Sequence, residues 1–361
     1  MKVAEQFKKR LHNLRIKMKL KNTDAVLVTK RENYMYLSGF TGTSAVLFIT
    51  EDRAVLLTDF RYVEQAAKQA LEYEVIQYTG SYINELNELL KAERIERLSF
   101  EDGHLTFAEY GEYLEKLKVS EFLPLRGAVE ELRRVKDESE IVMIKKAVSI
   151  ADDVFTHILS FIKPGVAEVE LAAEMEYFMK RQGAAGASFE TIVASGKRAS
   201  MPHGVASEKK IEAGDVITLD YGVLYNGYCS DITRTVFLGK PDKDLEKIYK
   251  IVLEAQLKGL EAVNSDLTGK EVDSIVRNEI AAAGFGNNFG HGLGHGVGLE
   301  IHEEPTLSMR GYIELKDSMV VTIEPGIYVT GLGGVRIEDM VVVNGEAPHI
   351  LTSATKEMII L

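Results

Sequence analysis

Residues 216–238 have the sequence VITLDYGVLYNGYCSDITRTVFL, and they predict a central element of the fold. The two halves of this run, Val216–Tyr225 and Tyr228–Leu238, are rich in β-branched and aromatic residues, which favour strands. The dipeptide Asn226-Gly227 lies between them, and Asn-Gly in that position is typical of a two-residue type I′ turn. The sequence therefore predicts an antiparallel β-hairpin here.

Two aspartates of this hairpin are predicted to point at one place. With a turn at residues 226 and 227, Thr233 lies opposite Asp220. Asp231 lies opposite Gly222, which shares a strand face with Asp220 because side chains alternate along a strand. Asp220 and Asp231 are therefore diagonal neighbours on one face, with backbones roughly 7–8 Å apart. Two carboxylates at that separation can hold metal ions between them.

Three further candidate ligands follow downstream: His295 in a glycine-rich segment, Glu324 before a Pro-Gly break, and Glu338 in a strand-like run. Ionised carboxylates within such apolar runs need cations or donors, because burying them alone is costly. Oxygen ligands with one imidazole suit Mn, Co, Zn or Fe, and four carboxylates balance two divalent ions. Two metal ions roughly 3.5–4 Å apart can generate and aim a hydroxide nucleophile.

The second pair of acids repeats the first arrangement. Met319–Ile323 and Val335–Val343 are predicted strands, and Glu324 closes the first of them. Arg336 and Glu338 share one face of the last strand by alternation, so we expect Arg336 to orient Glu338 or a substrate carboxylate. Asp339 points to the other face and is predicted to be structural.

These five residues, their order and their flanking sequences resemble the pita-bread metallopeptidase family (M24) over essentially the whole chain. The family includes methionine aminopeptidase, aminopeptidase P and prolidase. The resemblance implies a dinuclear site held by Asp220, Asp231, His295, Glu324 and Glu338. It also implies that Asp231 and Glu338 bridge the two ions, with manganese as the first expectation and Co, Zn or Fe as alternatives.

The resemblance implies roles for further side chains around the cleft. His302 matches the histidine that stabilises the tetrahedral intermediate, His203 matches a substrate-contacting histidine, and His291 matches one on the proline side. Tyr328 and Arg336 match positions of the proline-specific branch. The implied catalytic residues are then His203, His302 and Glu324, the last as proton shuttle, and the implied substrate-binding residues are His291, Tyr328 and Arg336.

The chain is predicted to have two domains. Residues 1–128 alternate between helical and strand-like patterns, which indicates an α/β domain. The predicted elements are helix 4–20, strands Ala25–Val28, Ala45–Thr50 and Ala54–Thr58, helix 61–72, strand Tyr73–Tyr78, helix 82–92, strand 96–100 and helix 107–118. Methionine aminopeptidases generally lack such a domain, whereas aminopeptidase P and prolidase have it.

Residues 129–361 form the predicted catalytic domain, which opens with a helix capped by Asp137 and Glu140. Further helices at 167–182, 244–263 and 270–283 flank the hairpins, and helices on one side of an antiparallel sheet give an α+β domain. The expected fold class is thus α+β, a pita-bread catalytic domain preceded by a smaller α/β domain. The two acid-bearing hairpins also suggest an internal duplication.

The composition of the chain limits the classes of molecule that it is expected to bind and the compartment in which it is expected to lie. The net charge is −12, from 43 basic and 55 acidic residues, which argues against nucleic acid and anionic membrane. The single cysteine, Cys229, excludes internal disulfides and is typical of a reducing, cytoplasmic compartment. No apolar run approaches the roughly 20 residues of a membrane span. From the family we expect a homodimer.

The sequence favours an exopeptidase that cleaves the Xaa-Pro bond of a peptide with proline in second position. A metal-bridging hydroxide is the expected nucleophile. Both Xaa-Pro aminopeptidase and Xaa-Pro dipeptidase remain open. Methionine aminopeptidase is the weaker alternative, because of the N-terminal domain and Tyr328. A non-enzymatic binding module is a still weaker alternative. Metal-free relatives of that kind have lost metal ligands, whereas all five ligand positions are kept here.

Overall fold

The computed structural model describes residues 3–345 and 347–361 and divides into two compact units between Arg133 and Arg134. The helix Ala128–Arg133 therefore belongs to the first unit. The predicted boundary at residue 128 had placed the end of the first domain at the start of this helix. In the described part of the chain, no helix combines the length and apolarity needed to cross a membrane.

The first unit is built on one mixed sheet. Its strands are β1 (Ala25–Val28), β2 (Val46–Thr50), β3 (Ala54–Thr58), β4 (Glu74–Gln77), β5 (Arg97–Phe100) and β6 (Glu121–Pro124), in the order β4-β3-β2-β1-β5-β6. The β1–β2 and β2–β3 pairs are antiparallel and the outer pairs are parallel. Every residue of the three central strands is buried, which explains their short continuous apolar runs.

Helices surround this sheet. They are α1 (Val3–Leu20), α2 (Arg31–Ser38), α3 (Val63–Gln69), α4 (Ile83–Ala92), α5 (Phe107–Lys116) and α6 (Ala128–Arg133). Thr106 and Glu109 form a reciprocal capping box that starts α5. Helices α2 and α6 and strand β6 were not predicted, whereas the other elements lie within a few residues of their predicted positions.

The second unit has four long helices in its described part: α7 (Glu138–Ile158), α8 (Glu168–Arg181), α9 (Lys243–Ala262) and α10 (Gly269–Ala282). The predicted capping box at the start of α7 is present, since Asp137 accepts from the Glu140 amide at 3.1 Å and Glu140 accepts from the Asp137 amide at 3.0 Å. The predicted boundaries of the other three helices agree with the structure to within a residue at each end.

The described part of the second unit also contains two 3-10 helices, at Gly196–Ser200 and Gly286–Asn288, and a set of short strands. They are β7 (Gly186–Ala187), β8 (Ile192–Ser195), β9 (Val216–Tyr221), β10 (Val223–Tyr225), β11 (Tyr228–Cys229), β12 (Ile232–Phe237), β13 (Gly294–Gly296), β14 (Glu303–Leu307), β15 (Val320–Ile323), β16 (Gly326–Val329), β17 (Gly333–Arg336), β18 (Asp339–Val342), β19 (His349–Ile350) and β20 (Ile359–Ile360). The sheet orders are β11-β10-β7, β20-β12-β9-β8, β14-β13-β15-β18-β19 and β16-β17.

The second unit repeats one arrangement twice. Helices α7 and α8 pack on the sheet of β8, β9 and β12, through buried residues such as Ile150 and Met175. Helix α9 packs on β15, β16 and β17, and helix α10 packs on α9 and β14, through buried residues such as Val252 and Val276. Each half thus has two helices over one acid-bearing hairpin, in agreement with the predicted internal duplication.

Candidate active site

The first hairpin has the predicted register and turn. Thr233 lies opposite Asp220 in the pairing of β9 with β12. Asn226 and Gly227 have φ values of 49° and 86°, the left-handed backbone that a type I′ turn requires. The hairpin pairing is interrupted around Gly222 and Asp231, so that β9–β12 and β10–β11 are separate ladders.

Glycine is required at position 222. A Cβ atom there would lie 1.9 Å from the carbonyl oxygen of Ser230 and 2.1 Å from the hydroxyl of Ser188. Only glycine allows the two strands to approach so closely beside Asp231. The glycine at position 222 therefore determines where the hairpin is interrupted. At that place the side chain of Asp231, a candidate metal ligand, leaves the sheet.

The second hairpin is broken at the equivalent place. Ile323 pairs with Asp339 in β15–β18, and Gly326 pairs with Arg336 in β16–β17, which leaves Glu324 and Glu338 facing each other in the gap. The prediction of one strand over Val335–Val343 was therefore wrong. Pro325 has no amide hydrogen to donate, so the ladder cannot continue past it unbroken.

The gap in the second hairpin is filled by the first hairpin. The amide of Glu338 donates to the carbonyl oxygen of Thr233 at 3.2 Å. The Thr233 hydroxyl in turn donates to Oε2 of Glu338 at 2.7 Å. These two contacts hold the acid-bearing segments of both halves together.

All five predicted ligands converge on one site. Carboxylate oxygens of Asp220, Asp231 and Glu338 all lie within 4.8 Å of one another. Nε2 of His295 lies 3.5 Å from Oδ2 of Asp231 and 3.3 Å from Oε1 of Glu324. The site therefore brings together four carboxylates and one imidazole from β9, β13 and the two hairpin gaps.

The orientation of His295 is fixed by its backbone surroundings. Its Nδ1 donates to the carbonyl oxygen of Gly296 at 3.0 Å, which leaves Nε2 to face the carboxylates. The hydroxyl of Thr322 accepts from the His295 amide at 3.0 Å and donates to Oε1 of Glu324 at 3.1 Å. The backbone of His295 and the Glu324 carboxylate are thus held by one shared hydroxyl.

The electrostatics of the site favour a positively charged ligand. Burial raises the pKa of Asp231 and of Glu338 well above the usual range, and neighbouring carboxylates add to both shifts. Burial likewise raises the pKa of Asp220, against the lowering effect of Arg336. For His295, burial lowers the pKa, but the hydrogen bond and charge of Glu324 outweigh it and raise the pKa overall.

The surroundings of one Glu338 oxygen bear on whether these residues fit a metal ion. This oxygen, Oε1, is buried and has no hydrogen-bond partner in the described part of the chain. A buried carboxylate oxygen without a donor is rare unless something else binds it. Together with the oxygen-rich donor set and the imidazole Nε2 of His295, it fits coordination of divalent cations.

Arg336 contacts a different carboxylate from the one expected. Its Nη2 donates to Oδ2 of Asp220 at 2.5 Å, and its Nε donates to the Thr233 hydroxyl at 3.0 Å. The alternative in which Arg336 contacts Glu338 directly is not found, because the end of β17 turns this side chain toward the first hairpin. The contact of Arg336 with a substrate carboxylate stays a prediction. The side chain is buried, with 3% of the residue exposed.

A chain of hydrogen bonds extends from Arg336 to the side of the cleft. Nη1 of Arg336 donates to the hydroxyl of Tyr328 at 2.7 Å, and that hydroxyl lies 2.8 Å from Nε2 of His291. Nδ1 of His291 donates to the carbonyl oxygen of Gly292 at 2.7 Å, so Nε2 accepts from Tyr328. Burial lowers the pKa of His291, consistent with this neutral form.

A cavity of about 190 Å³ lies beside the carboxylates. Its lining residues are Pro202, His203, Asp220, His291, Gly292, Gly294, His302, Glu324 and Arg336. His203 and His302 are exposed. The ring of His302 packs edge-on against His295, with 4.4 Å between centroids. The predicted catalytic and substrate-binding side chains therefore surround the space next to the predicted metal ligands, with Tyr328 behind them.

Two hydroxyls of the site were not singled out from the sequence. Thr233 lies two residues after Asp231, and Thr322 lies two residues before Glu324. Side chains two positions apart in a strand share a face, so this spacing was the available signal. Asp339 has the structural role that was predicted: it accepts hydrogen bonds from the side chains of Arg234 at 2.8 Å and Gln256 at 2.9 Å.

Comparison with known proteins identifies the family. Residues 142–345 match the model of metallopeptidase family M24, and residues 10–135 match the creatinase/prolidase N-terminal domain. The first match alone covers more than half of the 361 residues. The chain belongs to metallopeptidase family M24. The resemblance derived from the five ligand motifs is thereby confirmed.

Relatives in this family cover the whole chain. The Xaa-Pro dipeptidase of Pyrococcus furiosus is 41% identical over 354 residues, which is 98% of this chain and 100% of the relative. The solved structure of an Xaa-Pro dipeptidase from Bacillus anthracis has a TM-score of 0.97 at 49% identity and covers 98% of this chain and 100% of its own. The solved structure of an X-Pro aminopeptidase from Thermotoga maritima has a TM-score of 0.90 at 37% identity, and the match covers 97% of this chain and 99% of its own. The predicted fold class is confirmed.

Proposed function

We propose that this M24 peptidase is a dinuclear metal-dependent exopeptidase that hydrolyses the Xaa-Pro bond at the N-terminus of a peptide. The observation that carries the proposal is the convergence of all five predicted ligands beside a cavity lined by His203, His291 and His302. The names of its relatives support the same specificity, since they include Xaa-Pro dipeptidases and an X-Pro aminopeptidase.

The proposed metal ligands are Asp220, Asp231, His295, Glu324 and Glu338, which would together hold two divalent ions. The partnerless Oε1 of Glu338 supports a role in which both oxygens of this carboxylate are used. When bound, the two ions would lower the pKa of water to provide a hydroxide and would act as Lewis acids on the scissile carbonyl. Mn²⁺ is the first candidate, and Co²⁺, Zn²⁺ or Fe²⁺ would also suit the donor set.

The remaining side chains would position the peptide and move protons. Glu324 borders the cavity and would carry the proton to the leaving nitrogen. His302 would stabilise the developing oxyanion, and His203 would hold the scissile amide. His291, with Tyr328 and Arg336 behind it, would form the side of the pocket that accepts the pyrrolidine ring.

Proline after the scissile bond forms a tertiary amide without an N–H, so peptidases that require that donor are excluded. We therefore expect kcat/KM for Ala-Pro or Ala-Pro-Ala to exceed that for Ala-Ala by at least about ten-fold, or about 1.4 kcal/mol of transition-state discrimination. The assay uses protein reconstituted with Mn²⁺, and the same peptides blocked at the N-terminus should be poor substrates. Faster cleavage of Met-Ala-Ser than of either proline peptide would instead identify a methionine aminopeptidase.

The same assay separates the two proline-specific activities. A dipeptidase must bind the free carboxylate of proline and would prefer Ala-Pro, whereas an aminopeptidase must admit a longer chain and would prefer Ala-Pro-Ala. We also propose a homodimer, which light scattering of the purified protein would test.

A further inference from the structure

His203 is the one proposed catalytic side chain that lies on a long loop rather than on or beside a strand. The loop runs from the end of β8 at Ser195, through a 3-10 helix at Gly196–Ser200, to Ser207, and His203 lies after that helix. The imidazole is exposed at the cleft, so its position depends on the main chain that carries it. That main chain turns tightly, since the Gly204 amide donates to the Met201 carbonyl at 3.0 Å.

A single buried carboxylate holds both ends of this loop. Glu168, in the first turn of α8, is 0% exposed. Its Oε1 accepts from the amide of Ser195 at 2.8 Å and from the Ser195 hydroxyl at 2.7 Å. Its Oε2 accepts from the amide of Ser207 at 3.2 Å and from the Ser207 hydroxyl at 2.7 Å. Glu168 has no part in the proposed chemistry, yet it closes the loop that carries His203.

Arg198 connects the same carboxylate to the segment of the loop that carries His203. Its Nη1 forms an ion pair with Oε2 of Glu168. Its Nη2 donates to the carbonyl oxygen of Val205 at 2.8 Å, two residues from His203. The planar guanidinium therefore bridges the buried acid and the His203 segment with two donors in a fixed geometry, which a lysine ammonium cannot reproduce.

The loop has little space in which to shift. A Cβ atom at Gly204 would lie 3.0 Å from Cβ of Ala194, and one at Gly334 in β17 would lie 2.3 Å from the carbonyl oxygen of Ala199. The loop backbone thus packs directly on β8 and on β17. Because the surrounding contacts are this tight, the groups that donate hydrogen bonds to Glu168 hold the loop in one arrangement.

We propose that Glu168 and Arg198 form a loop clamp that positions the His203 imidazole toward the reacting peptide bond. The clamp acts through His203 and rests on the function proposed above for that histidine. Both residues are positioning residues, since neither lines the cavity. Loss of the clamp should impair catalysis because a misplacement of about 1 Å at a catalytic group can cost on the order of 10²-fold in rate.

A double-mutant cycle tests the clamp in the full-length, Mn²⁺-loaded protein. We expect Arg198→Ala to lower kcat/KM at least about ten-fold in the wild-type background, and by less than about two-fold when His203 is already alanine. Arg198→Lys, which keeps the ion pair but loses the second donor, should recover part of the activity. The substrate is whichever of Ala-Pro, Ala-Pro-Ala, Ala-Ala and Met-Ala-Ser the wild type cleaves fastest. The result therefore does not depend on proline specificity, which is judged separately by the preference among these peptides.

Controls separate positioning from a general loss of structure. Arg97→Ala removes an arginine of similar exposure to Arg198, 31% against 25%, from its ion pair with Asp24 in the first unit, and should leave kcat/KM unchanged. Metal content and Tm are measured for every variant, and hydrogen exchange of residues 196–205 should quicken in Arg198→Ala. If Arg198→Ala fails to fold, the near-isosteric Glu168→Gln replaces it in the cycle. Multiplicative losses in the double variant, or unchanged activity in the single variant, would overturn the clamp.

Discussion

His295 and His302 are neighbouring imidazoles with ring centroids 4.4 Å apart, and their surroundings differ. His295 has Nδ1 bonded to Gly296 and Nε2 directed at two carboxylates. His302 is accessible from the cleft, and its partial burial there, together with the charge of His295, lowers its pKa. Position alone therefore suggests that one histidine binds metal and the other meets the substrate.

Alanine substitutions distinguish these roles. We expect His302→Ala to keep two Mn²⁺ per chain and to lower kcat by about 10²–10³, the loss typical of one oxyanion donor. His295→Ala should instead reduce metal occupancy, because it removes the one imidazole of the donor set. Elemental analysis and steady-state kinetics of both variants provide the measurement. The roles would be wrong if His302→Ala lost its metal or retained full turnover.

At the level of elements, both hairpins are interrupted where their acids leave the sheet. In the first hairpin the turn at Asn226 and Gly227 sets the register that places Thr233 opposite Asp220. A change of register by one residue would turn every side chain to the other face. The geometry of the turn is therefore a condition for assembling the site.

Alanine at two glycines should have opposite effects on stability. Gly227 has a φ of 86°, so Gly227→Ala should lower the unfolding free energy by about 1–2 kcal/mol. Gly111 lies inside α5 with open space around its Cα, so Gly111→Ala should raise helix stability by about 0.5–1 kcal/mol. Calorimetric Tm values of both variants against the wild type give the comparison. A Gly227→Ala protein as stable as the wild type would contradict the role of the turn.

For the whole molecule, the buried acids connect metal binding to stability. Burial raises the pKa of Asp231 and Glu338 in the folded, metal-free protein above the value of an unfolded chain. The folded state then holds protons at a pH where the unfolded state has released them. Stability of the metal-free protein should therefore fall as pH rises, and bound cations should remove this loss.

Thermal unfolding at several pH values tests this connection. In EDTA we expect Tm to fall as pH rises above about 4, where the carboxyl groups of an unfolded chain release their protons, and the gain in Tm on adding excess Mn²⁺ to widen in the same direction. The double variant Asp231→Asn with Glu338→Gln is the matched control, because its side chains are near-isosteric and do not titrate. Its Tm should depend less on pH in EDTA. An EDTA-treated wild type that becomes more stable with rising pH would refute the linkage.

Local patterns predicted most of the elements. Helix α7 was predicted from its capping residues, and the first hairpin from its Asn-Gly turn. Helix α2 was not predicted, since it buries the polar Asn33 next to aromatic residues. Asn33 donates to Glu101 at 2.6 Å and accepts from Arg133 at 2.7 Å, partners far away in sequence. No local pattern indicates such contacts.

The candidate ligand residues and the turn could be predicted from the sequence because both are short-range features: a residue type, its flanking glycines or proline, and alternation along a strand. Three contacts appeared only in the tertiary structure. They are the bond from Arg336 to Asp220, the bond from Glu338 to Thr233, and the closure of the His203 loop by Glu168. Arg336 and Asp220 are 116 residues apart in the chain. Their contact depends on how the two halves pack, and packing is decided by the whole buried surface rather than by any one segment.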